Sequence, residues 1–488
     1  MALRDRWPSR TAFIYAAIGS AVGLGNIWRF PFLAEKFGGG AFLIPFLIAL
    51  FVAGIPLLIL EFAIGQKIQK GAVDSLASIK KKLSGLGWWA LFTAFIVISY
   101  YVVIMSWSLI YLFASFGVQW SEDPESYFFN NVLQISESVD SIGTIVPAVF
   151  IGLLISWILI YFCVWKGVRS VSKVVMWTVP LPIILLFVLL IRAFTLDGAM
   201  IGIVEYITPD FSALFDTEVW IAAVSQVFFS LSIAFGVMIA YSSYNKKGSD
   251  ISKNAFTVGI ADTVIAIIAG FVVFGTLGFM AEQQGVAFDE VVASGPGLAF
   301  IAFPQALSLM PFGTIFSILF FITLFTLAID SAFSLVEAVN IVISDKIKMK
   351  KQYIALIVCT LGFLAGIIYT TNGGLFILDV VDHFVTNISL IVIGILECIA
   401  VGWIFGAKKM RSYINKVSDF KIGAWWDTTI KYIIPISLAV ILALQLKREF
   451  VENYGGYPDW AILIGWGVVL VPLAIAFSIP QRTVKSTT

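Results

Sequence analysis

Long apolar runs separated by short polar stretches set the pattern of this chain. A hydrocarbon layer about 30 Å thick needs roughly 20 apolar residues to cross as a helix. Twelve runs meet that length, over approximately 12–36, 41–68, 88–117, 145–164, 171–194, 219–244, 254–281, 312–344, 353–371, 376–405, 430–447 and 457–479. The pattern predicts an all-α polytopic membrane protein with twelve transmembrane helices.

Two of the runs are interrupted. In the first, Gly19-Ser20-Ala21-Val22-Gly23-Leu24-Gly25-Asn26 leads into Ile27-Trp28-Arg29-Phe30-Pro31. Each glycine costs a helix about 1 kcal/mol, and an interrupted helix bares amide and carbonyl groups that hydrocarbon cannot satisfy. Glycines alone would suit a close packing face between helices. Asn26 and Arg29 favour a polar site instead, because neither suits lipid. The second interruption is Ser230-Leu231-Ser232-Ile233-Ala234-Phe235-Gly236, in run six. Each break opens a group of five runs, which points to an inverted repeat with a site at the repeat interface. Residues 1–194 form the first repeat with its N-terminal segment. Residues 195–405 form the second, with a loop near 283–311, and residues 406–488 hold the last two runs. That loop is long and apolar, with Pro296, Pro304 and Pro311. Leu298, Phe300, Ile301 and Phe303 need burial there, so it is expected to cap a vestibule.

Composition agrees: 60% of the 488 residues are hydrophobic and 12% are charged. A net charge of +1 excludes a nucleic-acid-binding surface. Cys163, Cys359 and Cys398 all lie in apolar runs, so neither a disulfide framework nor a metal cluster is implied. His383 is the only histidine, which argues against histidine metal sites and Ser-His-Asp chemistry. No cleavable signal sequence is expected before the first run. Basic residues orient the chain. With the N-terminus inside, Arg4, Arg6, Arg10, Lys166, Arg169, Lys246, Lys247, Lys346, Lys408 and Arg411 fall on the cytoplasmic side, while Glu122, Asp123, Glu137, Asp140, Asp197 and Asp210 fall outside. The expected location is the cell (inner) membrane, with both termini cytoplasmic.

Ionisable residues at membrane depth are few. An ionised Asp at the bilayer centre costs about 2.5–3.5 kcal/mol on insertion scales, so Asp262 and Asp330 are read as functional. Glu61 and Glu397 are read as structural hydrogen bonders. Arg29 and Asp382 could meet across the outer end of a cavity, with His383 on the vestibule surface. Tyr100 and Tyr101 lie too deep for an interfacial belt, and a hydroxyl facing the cavity fits better. Carbonyls, an amide, hydroxyls and two carboxylates are hard oxygen donors, suited to Na⁺ and not to zinc or copper. The residues therefore describe a cation-coupled carrier of a small polar-ended substrate.

Gly19 to Pro31, Phe37-Gly38-Gly39-Gly40-Ala41-Phe42, Gln226 to Ser232 and Leu327-Ala328-Ile329-Asp330-Ser331 strongly resemble the neurotransmitter:sodium symporter family. The likeness runs from Arg4 to at least Trp403 and suggests a prokaryotic amino-acid transporter with the leucine-transporter fold. The resemblance implies two sodium sites. The first uses Ala21, Asn26, Ser230, Asp262 and the substrate carboxylate. The second uses the carbonyls of Gly19, Val22 and Leu327 with Asp330 and Ser331. The substrate carboxylate is expected at the amides of Leu24 and Gly25 and the Tyr101 hydroxyl. Its amine is expected near Phe229 and Ser232. Val97, Phe229, Ser232, Phe235, Ser331 and Leu335 would form the side-chain pocket. An outer gate of Arg29 with Asp382, roofed by Phe229 and braced by Gln226, is implied. So is an inner gate of Arg4 with Asp345, supported by Trp7 and Tyr244.

The departures are informative. Asp262 replaces the usual asparagine. The positions that hold chloride's tyrosine and serine ligands in chloride-dependent members are Phe46 and Ala266 here. Asp262 is expected to supply the charge itself, so chloride is not expected, and a proton could occupy Asp262 in the empty carrier. Monoamine carriers place an aspartate at Gly23, so an α-amino acid with a neutral, hydrophobic side chain is favoured. Segment five lacks a proline found near Trp177 in some bacterial relatives, although Pro180 and Pro182 stand close by. The partners expected are the amino acid and membrane lipid, with no nucleic acid and a monomer or weak homodimer. An enzyme is not supported, since no nucleophile, base or metal cluster is visible. A channel would need a continuous filter. A transport-incompetent amino-acid receptor or sensor on the same fold, or a carrier of a different small zwitterion, is the rival reading.

Overall fold

The computed structural model describes residues 5–293 and 295–480. Among these residues ten helices are long and apolar enough to cross a membrane: Gly40–Ile68, Lys81–Ala114, Pro147–Val164, Val168–Phe194, Ile251–Gln284, Gly313–Lys346, Lys351–Thr370, Gly374–Val417, Trp425–Gly456 and Asp459–Ser478. Ahead of them, Arg10–Ala21 and Leu24–Lys36 form one span bent by 62°. The sixth run is divided into Thr217–Ser230 and Val237–Ser242. Numbered in chain order, these are segments one to twelve.

Helix ends differ from the apolar runs where helix and hydrocarbon need not stop together. Segment three starts at Lys81, and segment ten continues to Val417 through the basic stretch after Gly406. Hydropathy marks the hydrocarbon, whereas capping marks the helix. Ser9 caps segment one by accepting from the Ala12 amide at 3.1 Å, and Asp250 caps segment seven by accepting from Lys253 at 2.9 Å.

The broken segments sit at the centre. The first half of segment one packs on segments five, seven and eight, and the second half of segment six lies on segment two. That last approach is backbone-close. A Cβ at Gly65 would stand 2.1 Å from the Ile239 carbonyl oxygen, so only glycine fits. The apolar loop between segments seven and eight forms the helix Leu298–Leu309. Leu298, Phe300 and Phe303 are buried, and Ile301 is half-buried. Phe300 stacks on Phe128 at 5.4 Å, and its carbonyl accepts from the Tyr111 hydroxyl at 2.7 Å. The burial expected of this loop is met by aromatic side chains of segment three and its following loop.

Candidate functional site

The break in segment one is narrower than its sequence suggests. Gly19, Ser20 and Ala21 remain helical, and the helix resumes at Leu24. Only Val22 (φ −77°, ψ 107°) and Gly23 (φ −132°, ψ −166°) are extended. The Gly23 amide donates to Asn26 Oδ1 at 3.0 Å, which closes the start of the second half-helix. Segment six is open over 231–236, where Ser232 (φ 52°), Ala234 (φ 70°) and Gly236 (φ 72°) are left-handed. Non-glycine residues held there cost about 1–3 kcal/mol each. Two hydrogen bonds offset this: Ser232 Oγ donates to the Ser20 carbonyl at 2.8 Å, and the Ala234 amide donates to Glu61 Oε1 at 2.8 Å. Glu61 therefore holds the unwound turn, and the buried carboxyl of Glu397 lies within hydrogen-bonding reach of Glu61.

Between the breaks lies a small cavity of about 30 Å³. Ala21, Gly23, Gly25 and Asn26 line it from segment one, Val97 and Tyr101 from segment three, Phe229, Ser230, Ser232 and Phe235 from segment six, and Ser331 and Leu335 from segment eight. Ser20, which sequence reasoning did not nominate, also lines it. Leu24 faces the neighbouring vestibule instead, with its amide donating to the Tyr101 hydroxyl at 3.4 Å. A Cβ at Gly23 would stand 2.8 Å from Ser331 Oγ and 3.1 Å from the Tyr101 hydroxyl, so any side chain there would intrude on both.

Two buried carboxylates flank the cavity. The Ser230 hydroxyl lies 2.8 Å from each Asp262 oxygen, and Asn26 Nδ2 donates to Asp262 Oδ1 at 2.9 Å. On the other side, Thr178 Oγ1 donates to Asp330 Oδ1 at 2.6 Å. A Cβ at Gly19 would come within 3.0 Å of Asp330 Oδ2, so this glycine lets the carboxylate approach segment one. Ser331 Oγ reaches the Gly19 carbonyl at 3.4 Å. Val22 opens the break, and Leu327 lies about one turn before Ser331 on segment eight. Among the described residues no basic side chain comes within 4.0 Å of Asp262 or Asp330. Buried carboxylates whose partners are hydroxyls and an amide can be neutralised by a cation or by a proton. Phe46 packs on Phe30 at 4.9 Å between ring centroids, and Ala266 is buried, so neither position offers a hydroxyl.

The cavity has an open side and a sealed side. Gly25, Tyr101 and Phe229 also line a vestibule of about 810 Å³, so Phe229 stands between the two spaces. Arg29 and Asp382 both line the vestibule, but the expected ion pair between them is not made within 4.0 Å. Arg29 lies over the Phe229 ring at 5.4 Å, and Asp382 accepts from the Tyr100 hydroxyl at 2.5 Å. The vestibule is wide enough to keep the two charges apart. The Gln226 amide is fully buried and has no hydrogen-bond partner, so it braces neither charge in this conformation. His383 lines the vestibule with its ring stacked on Tyr454 at 3.5 Å and bonded to Glu449 at 2.7 Å.

At the sealed side, Trp7 Nε1 donates to the Tyr241 carbonyl at 2.8 Å and its ring meets Tyr244 edge-on. Tyr244 donates to Glu337 at 3.0 Å. Asp345 accepts from the Gly71 amide at 2.8 Å and lies 3.7 Å from Lys70 Nζ. Arg4, its expected partner, lies outside the described residues. Thr178, Ser20 and Ser334 are the site's neighbours that the sequence did not single out. Each is a hydroxyl in an apolar run, with no pattern to say which way it faces.

A helical membrane protein with two broken spans around a buried cavity flanked by carboxylates defines the class of carrier. The model of the sodium:neurotransmitter symporter family matches residues 4–124 and 117–485. The chain is 42% identical to an uncharacterized sodium-dependent transporter of Methanocaldococcus jannaschii, over 99% of this chain and 98% of that one. It is 35% identical to the sodium- and chloride-dependent taurine transporter of Rattus norvegicus, over 97% of this chain and 84% of the relative. It is 34% identical to the sodium- and chloride-dependent GABA transporter 2 of the same organism, over 99% and 87%. The chain belongs to the sodium:neurotransmitter symporter family. It is a sodium-dependent membrane transporter and not an enzyme.

Proposed function

We propose that this chain couples Na⁺ to the uptake of a neutral α-amino acid with a largely apolar side chain, without chloride. The cradle at Gly23 carries the substrate reading. An aspartate there, as an amine carrier would need, would collide with Ser331 and Tyr101. The half-helix starting at Leu24 points amides toward a carboxylate, which its dipole favours. Val97, Phe235 and Leu335 supply apolar walls.

Asp262 carries the chloride reading. Its carboxylate already sits against Asn26 and Ser230, and it places a fixed charge where Phe46 and Ala266 offer chloride no hydroxyl. The donor chemistry fits two Na⁺ ions as co-transported substrates. One would lie among Ala21, Asn26, Ser230, Asp262 and the substrate carboxylate. The other would lie among Gly19, Val22, Leu327, Asp330 and Ser331. Shared contact with the first ion makes ion and substrate raise each other's affinity.

Alternating access follows from the two sides of the cavity. With the orientation set by the basic loops, the vestibule faces outward. Loading draws Phe229 over the substrate and brings Arg29 to Asp382. The two five-segment repeats then rock, and the contacts of Trp7, Tyr244 and Asp345 part. Two charges crossing about 100 mV supply about 4.6 kcal/mol, enough for more than thousandfold accumulation. The test is uptake of a labelled neutral amino-acid panel into proteoliposomes, comparing inward Na⁺ and K⁺ gradients. Concentrative uptake with Na⁺ alone is expected. Na⁺-dependent binding without uptake would favour a receptor, and no binding at all would reject the substrate class.

A further inference from the structure

Three hydroxyls meet one helical turn from the Gly23 cradle, toward the sealed side. Ser20 Oγ lies 2.8 Å from Ser334 Oγ and 3.2 Å from Ser232 Oγ. Ser232 Oγ donates to the Ser20 carbonyl at 2.8 Å, and Ser334 Oγ donates to the Ser331 carbonyl at 2.7 Å. The three residues come from segments one, six and eight, and all are more than nine-tenths buried. Ser20 and Ser232 form part of the cavity wall, beside the apolar Val97, Phe235 and Leu335.

The donors and acceptors can be counted. A serine hydroxyl has one hydrogen to give and two lone pairs to receive. Ser232 and Ser334 spend their hydrogens on backbone carbonyls. Ser20 spends its own on one of the two neighbouring hydroxyls. What remains toward the cavity is lone pairs, on Ser20 Oγ and Ser232 Oγ. The Ser232 hydroxyl already fastens the unwound turn, but a purely apolar side chain would leave the remaining lone pairs in the wall unmatched, and buried polar atoms left unmatched are costly. A ligand group that brings a hydrogen matches them.

We propose that Ser20, Ser232 and Ser334 form a subsite for the far end of the substrate's side chain, and that it selects a hydrogen-bond donor, an O–H or N–H, on an otherwise apolar side chain. This rests on the reading that the cavity holds an α-amino acid with its carboxylate at the Gly23 cradle. A site that hydrogen-bonds a substrate group discriminates against the analogue lacking it far better than an apolar wall discriminates by size.

The experiment measures Na⁺-dependent binding to the purified full chain for pairs matched in shape: tyrosine and phenylalanine, homoserine and norvaline, tryptophan and 3-benzothienylalanine. The donor-bearing member of at least one pair should bind about tenfold more tightly, equivalent to about 1.4 kcal/mol. In Ser20→Ala that preference should shrink to within about threefold, with Na⁺-dependent binding of the apolar partner still measurable. The partner's binding also reports that the variant is folded. Equal or weaker binding of the donor member in every pair would overturn the subsite while leaving the amino-acid reading intact. So would a network that is only structural, with Ser20→Ala and Ser334→Ala both less heat-stable and the pair ratio unchanged. Failure of all six compounds to bind would reject the amino-acid reading and the subsite with it.

Discussion

The Ser230 hydroxyl lies 2.8 Å from both carboxylate oxygens of Asp262, joining the broken sixth segment to the unbroken seventh. Asn26 reaches the same carboxylate from the first segment. One carboxylate is thereby placed where both broken helices meet. A unit charge about 4 Å from an ion is worth about 4 kcal/mol at an effective dielectric constant of 20. Asp262→Asn should raise the Na⁺ concentration for half-maximal binding at least tenfold. Adding Ala266→Ser should make the remaining uptake depend on chloride. Na⁺ titrations of the two variants, with and without chloride, check both.

Gly23→Ala tests the cradle. Its methyl would press on Ser331 Oγ and the Tyr101 hydroxyl. Substrate affinity should fall more than tenfold, while thermal stability in Na⁺ without substrate changes little. Equilibrium binding and a melting curve separate the two effects.

Thr178→Val removes the hydroxyl that holds Asp330 Oδ1 at 2.6 Å. A hydrogen bond to a charged group contributes about 1.5–3 kcal/mol. The carboxylate would lose its fixed orientation toward Gly19, so Na⁺ half-saturation should rise severalfold. Asp330→Ala should abolish Na⁺-dependent binding altogether.

Much of this architecture could be read from the chain. The segments and both broken helices follow from apolar length and from glycines where lipid-facing helices rarely tolerate them. The extent of the first break could not be read. Gly19 counts as a helix breaker by propensity, yet it stays helical, and its missing side chain leaves room for Val179 and Asp330. Thr178 and Ser334 are not legible, because a hydroxyl in an apolar run looks alike whether it bonds its own helix or faces a site, and Ser20 is legible as part of the first break but not as part of the cavity wall. Arg29 and Asp382 match as opposite charges in the sequence. Sequence cannot say that Tyr100 holds Asp382 while the vestibule stands open.

The sealed side carries a pH-dependent contact. Burial raises the Asp5 carboxyl, but the Lys351 hydrogen bond and charge, with Arg169 nearby, outweigh it and hold the group below its ordinary 3.8. A lowered value in the folded state means stability that is fully present above 3.8 and lost as pH falls through the lower value. A partly exposed pair contributes about 0.2–1 kcal/mol. Asp5→Asn should therefore melt slightly below the wild type at pH 7. The difference should close as pH drops below 4, and melting curves across that range check it.

The most direct measurement is amino-acid uptake into proteoliposomes under an inward Na⁺ gradient, with chloride replaced by gluconate on both sides. Undiminished, concentrative uptake is the expected result, because Asp262 takes the place of the anion. Uptake that collapses without chloride and returns when it is restored would contradict that role of Asp262 and place this carrier with its chloride-dependent relatives.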